Sequence, residues 1–126
     1  MKLNDIVKQF EAIVYTPDCY QPEKEITHGF CADLMSDALM IMNTVRDETI
    51  LNNAVLITGL ATNQSIRTAE MLDISVVVLV RGKTPALPVI ELANEANITL
   101  IKTEWTMFNF SGALYQQGVK GIVARK

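Results

Sequence analysis

The feature that most constrains this chain is an alternation beginning at residue 54. The apolar run 54–58 ends at Gly59, the β-branched run 76–80 follows about one helix-length later, and 98–101 follows at a similar interval. Apolar runs without polar alternation suit strands covered on both faces. The segments between them have helical spacing. Ile66, Ala69, Met71 and Leu72 follow Thr62 or Asn63 as caps. A second helix, about 86–96, carries Pro88 early, where a missing amide donor costs little, and Thr84 or Pro85 marks its approach. A third, about 104–117, presents Trp105, Phe108, Gly112 and Tyr115 and stops near Gly118, a left-handed cap. This order implies right-handed crossovers and three parallel strands, with 76–80 central.

The first part of the chain reads as α-β-β-α. Leu3, Ile6, Val7 and Phe10 outline a short amphipathic helix, residues 12–15 a brief strand, and 16–22, with two prolines, a surface loop. Residues 26–32 suit a strand in which Gly29 hints at a bulge or a close backbone approach. Asp33 is placed to cap a helix with Leu34, Ala38, Ile41 and Met42 on one face, and a polar turn is expected at 46–53. Met35, Met40, Met42 and Met71 read as core filler, though some could line a partner surface. A final short strand is expected around Ile122 and Val123. The expected fold is therefore one compact α/β domain, its mostly parallel sheet flanked by helices.

A chain of 126 residues, 49% hydrophobic and 20% charged, buries enough apolar surface to fold as one unit. Its formal charge of −3 argues against nucleic acid as a partner, since that affinity comes mainly from Lys and Arg on phosphates. Charged, Gly or Pro residues cut every apolar run short of a membrane span, and the start lacks a signal-peptide core, so a cytoplasmic location is expected. Cys19 and Cys31 fit neither a zinc pair nor a disulfide framework, while a single bridge stays open.

Open parallel sheets collect ligands at the carboxyl ends of their strands. The three loops there offer Thr58, Gly59, Thr62, Asn63 and Gln64, then Arg81, Gly82 and Lys83, then Thr103. These hydroxyls, amides and cations suit a phosphate or carboxylate ligand, or they are ordinary caps and turns. No Gly-Lys-Ser/Thr follows Gly59, which disfavours a phosphate-wrapping loop, and no dinucleotide fingerprint is present. His28 and Cys31 stand three apart on one strand and so point to opposite faces, which opposes a nucleophile–base pair. Asp33 and Asp37 share a helix face, where they could hold a hard cation, or simply cap and favour the helix start. No metal and no cofactor is expected.

The run Glu25-Ile26-Thr27-His28-Gly29-Phe30-Cys31-Ala32-Asp33-Leu34-Met35-Ser36-Asp37, then VLITGLATNQSI, VVVLVRGKTP and TEWTMFNFSGALYQQGV, resembles the DRTGG domain family over roughly residues 3–121. The most specific part is G-x-x-x-D-L-x-S-D, present as Gly29, Asp33, Leu34, Ser36 and Asp37. The five letters naming the family are not intact. Thr62 is kept without an Asp-Arg pair, and the later Gly pair is reduced to Gly82 beside Arg81. The resemblance implies a non-catalytic accessory domain, attached elsewhere to enzymes such as nucleotide-regulated pyrophosphatases, where it contributes to dimerisation. Short stand-alone members accompany hydrogenase and histidine-kinase-like genes, which implies a metabolic or redox system. The expectation is a homodimeric regulatory module binding a partner protein or a small anionic ligand. The alternatives are an adenine-nucleotide sensor and a small enzyme using His28, Cys31 or Asp33.

Overall fold

Six strands form one sheet in the order β1-β5-β4-β3-β2-β6, with β1 (Ile13–Val14), β2 (His28–Cys31), β3 (Ala54–Thr58), β4 (Val76–Leu79), β5 (Thr99–Lys102) and β6 (Lys120–Gly121). The computed structural model describes residues 1–44 and 47–122, and the side chains of 41–44 are not described. The expectations for the Ile41 and Met42 side chains, Arg46 and Val123 thus lie outside the described residues. Strands β2 to β6 run parallel and only β1 is antiparallel, against β5. Three parallel strands were expected from the alternation, and β2 and β6 extend the set.

The strand runs explain the layering. Ala54 and Leu56 of β3, Val77 and Leu79 of β4, and Leu100 of β5 meet one set of helices, α2 (Met35–Thr44), α4 (Asn63–Met71) and α5 (Leu87–Glu95). Leu51 of α3 (Glu48–Asn52) packs there too. Their neighbours Val55, Ile57, Val76, Val78 and Ile101 face α1 (Leu3–Gln9) and α6 (Met107–Gln116). Successive strand side chains point to opposite faces, so a strand with a helix layer on each side must be apolar at every position. The chain steps in one direction from β2 to β5 and then returns past them to β6, beside β2. A right-handed crossover that reverses its travel lands on the opposite face, which puts α6 across the sheet from α2, α4 and α5.

Gly29 keeps an unbroken register with Val55. A Cβ there would stand 3.0 Å from Val55 Cγ1, so the glycine marks a close approach and not a bulge. Pro88 lies in the first turn of α5, and Gly118, at φ +98, follows the end of α6 with its N–H on Tyr115 O.

Several expectations are corrected. Asp33 does not cap α2, because its carboxylate reaches across to the end of β3. Leu34 is 66% exposed, while Met35 and Ala38 turn inward. Met71 and Met40 are also exposed, so they are not core filler. The polar segment 46–53 holds α3 within its described part, capped by Asp47 accepting the Thr49 N–H at 2.9 Å. Five residues give too little room for a hydrophobic period to show. Thr62 occupies the N-cap of α4 without a side-chain cap bond. Instead Ser65 Oγ donates to Leu60 O and closes the loop. Both cysteines are free.

Candidate functional site

The parallel register brings the loops after β2, β3 and β4 to one rim of the sheet, with the loop after β5 beside them. The β4–α5 loop holds two successive residues with positive φ, Arg81 at 61° and Gly82 at 67°. For a side chain as large as arginine this conformation is strained and needs outside support. The support comes from the next loop: Arg81 N–H donates to Trp105 O at 2.8 Å and Gly82 N–H to Thr103 O at 3.0 Å.

So held, the Arg81 guanidinium folds back over the β3–α4 loop into the space that Gly59 leaves empty. A Cβ on Gly59 would stand 1.8 Å from Arg81 Nη2. The Asp33 carboxylate completes the cluster. Its Oδ1 accepts the Gly59 N–H at 2.7 Å, and its Oδ2 lies 3.9 Å from Arg81 Nη2. Asp33 and Arg81 side chains are each about half exposed, at 49% and 48%. Thr58 is buried beneath them, its hydroxyl accepting the Leu60 N–H at 3.0 Å with a long contact of 3.5 Å to Asp33.

Because α5 leaves β4 toward one face and α6 leaves β5 toward the other, the boundary between β4 and β5 is where such sheets open a ligand crevice. Here the two loops are tied across it by the amide bonds of Arg81 and Gly82. Glu104 fills more of it, since a Cβ on Gly82 would stand 2.6 Å from Glu104 Oε1. Lys102 Nζ lies 3.4 Å from Glu104 Oε2 and donates to Thr84 Oγ1 at 3.2 Å. Each glycine of the rim thus sits beside an acidic side chain and a cation.

Of the residues expected to bind, Gly59, Arg81 and Gly82 lie at this cluster, and Thr62, Asn63, Gln64 and Lys83 are exposed beside it. Thr103 is buried, donating to Phe10 O at 3.0 Å and accepting the Trp105 N–H at 3.3 Å, so it shapes the rim from below. From the family-like motif only Asp33 joins the cluster through its side chain. Glu104 is not distinguished by sequence spacing, because its place beside Gly82 comes from the pairing of Leu79 with Lys102.

His28 and Cys31 do not converge. They lie at opposite ends of β2, roughly 10 Å apart along the strand. His28 Nδ1 is 2.8 Å from Thr27 Oγ1, and Cys31 Sγ is 3.0 Å from Ser111 Oγ. Desolvation raises the Cys31 thiol pKa, the Ser111 hydrogen bond opposes the rise, and the Asp33 charge adds to it. Among the described residues no three His, Cys, Asp and Glu side chains are arranged to hold a metal ion. None of the described helices is long and apolar enough to cross a membrane.

On the far face from α4, α6 exposes Phe108 and Tyr115 at 85% and 71%, on either side of Gly112. Phe108, with Trp105, Gly112 and Ala113, borders a shallow concavity of about 450 Å³.

No family model matches the chain, and no curated protein matches it. A solved structure does: the CBS and DRTGG domains of the regulatory region of a Clostridium perfringens pyrophosphatase, complexed with its activator diadenosine tetraphosphate. The similarity has a TM-score of 0.63 at 21% identity and covers 94% of this chain and 47% of that one. This chain thus spans about half the length of its structural neighbour and shares its fold.

Proposed function

We propose that this chain is a non-catalytic regulatory module of the DRTGG kind, whose rim receives a small anionic ligand such as an adenine nucleotide. The observation that carries this is the Arg81 guanidinium, held by a strained backbone against Gly59 beside an amide donor. An exposed fork next to a backbone N–H is suited to phosphate oxygens. The structural neighbour, a regulatory region bound to an adenine-nucleotide activator, supports the same reading. Thr62, Asn63, Gln64 and Lys83 supply further donors around the ligand, while Thr58 and Thr103 hold the floor. A protein partner presenting an acidic group would use the same contacts.

The test is thermal unfolding against ATP, ADP, AMP and diadenosine tetraphosphate. A ligand that binds only the folded state raises the melting temperature by mass action. The expected result is a shift with at least one nucleotide and its loss in R81A. No shift across the panel would remove the proposal.

The module works as a homodimer, paired through the exposed aromatic face of α6. Light scattering after size exclusion is expected to give twice the chain mass at tens of micromolar, falling to the monomer in F108E. A wild-type monomer under those conditions would remove this half. Its setting is cytoplasmic and accessory to a metabolic or redox system. A small enzyme built on His28, Cys31 and Asp33 is disfavoured by the separation of the first two and by a thiol held in its less reactive protonated form.

A further inference from the structure

We propose that the Asp33 carboxylate is a built-in occupant of the anion seat formed by the Gly59 amide and the Arg81 guanidinium, which an incoming phosphate must displace. This rests on the reading of the rim as a ligand site and adds how that site is regulated. An external anion would use the Gly59 N–H as donor and Arg81 as counter-charge. Asp33 already takes both, accepting the N–H at 2.7 Å and standing 3.9 Å from the guanidinium. A phosphate oxygen arriving there finds the donor used, the cation partly neutralised and a like charge within a few ångströms, where repulsion is strong. The carboxylate is nonetheless free to leave. It is about half exposed, and its remaining side-chain contact is the long one to Thr58. Rotation about its own side-chain bonds would carry it into solvent. Ligand entry is thereby coupled to the β2–α2 junction that bears Asp33, and weakly charged anions are rejected in favour of polyphosphates able to repay the displacement.

The experiment is isothermal titration of the full chain with ATP and, separately, inorganic pyrophosphate, using wild type, D33N, D33A and D33N/R81A. D33N removes the charge but keeps an oxygen acceptor for the Gly59 amide, so it guards against loss of folding in D33A. The expected result is that D33N binds at least about tenfold more tightly than wild type. The gain should be lost in D33N/R81A. Tighter binding of ATP alone would mean that the adenosine adds contacts, and equal gains would place recognition in the phosphates; either supports displacement. Wild-type binding with D33N and D33A no tighter overturns the proposal and leaves the rim site standing. Absence of binding by every variant overturns both. A gain that survives in D33N/R81A also overturns it, because the anion would then sit elsewhere.

Discussion

Asp33 and Arg81 each give up some local stability to stand where they do. The left-handed Arg81 backbone costs on the order of 1–3 kcal/mol, offset by the amide bonds to Trp105 and Thr103. The Asp33 bond to the Gly59 N–H is charge-assisted but half exposed, so D33A is expected to lower stability by only about 1 kcal/mol in chemical denaturation. The same change relieves one cause of the raised Cys31 pKa. Sign matters here: a raised thiol pKa means less thiolate at neutral pH. Wild-type Cys31 should therefore react with iodoacetamide more slowly than a free cysteine at pH 7.5, and speed up only as pH rises past the ordinary thiol range. D33N should quicken it, and an unchanged rate would show that the carboxylate does not act on the thiol. At the two glycines the expectations differ. G59A displaces the far end of a flexible side chain and should cost under about 1 kcal/mol. G82A forces a left-handed φ and meets Glu104, and should cost more.

Within α6 two phenylalanines two residues apart have opposite roles. Phe110 is fully buried and meets Phe10 edge-on, with ring centroids 4.7 Å apart, so F110A should cost about 3–5 kcal/mol. Phe108 covers nothing in the single chain, and F108A should leave monomer stability within about 0.5 kcal/mol. Urea unfolding at a concentration too low for pairing separates the two. A large loss in F108A would mean that the residue packs within its own chain. Helical spacing told which residues share a face of α6. It did not tell which face looks inward, because Phe110 and Leu114 make as good an apolar stripe as Phe108 and Tyr115. The same ambiguity misplaced Leu34 and Met71. Helix α3 was illegible for another reason, being a capped helix of only five residues, too short for a period to show.

Across the whole molecule both apolar clusters share one sheet, since β3, β4 and β5 contribute alternate residues to each. Neither layer can melt without exposing the other's backing, so unfolding should be a single transition. Trp105, the one tryptophan, packs on Phe10 with ring centroids 4.8 Å apart and reports the α1 layer. Its fluorescence and the far-ultraviolet circular dichroism should give the same midpoint. Separate midpoints would mean that the layers are independent. A bound nucleotide at a hundredfold excess over Kd should add about 2.7 kcal/mol.

Local chemistry in the sequence was enough to determine the α/β class, the parallel core strands and the loops that gather at one rim. Strand runs apolar at every position admit only a sheet covered on both sides, and short crossovers of one hand admit only a parallel order. Tertiary structure alone decided that β6 returns beside β2, that α6 lies on the opposite face, and that Asp33 reaches Gly59 and Arg81. Those contacts join residues 26 and 48 positions apart, and nothing in their spacing distinguishes the carboxylate's long reach from the helix cap it could equally have made. The choice was made by geometry, because the closing of the sheet set an unpaired amide and a guanidinium within reach of that side chain.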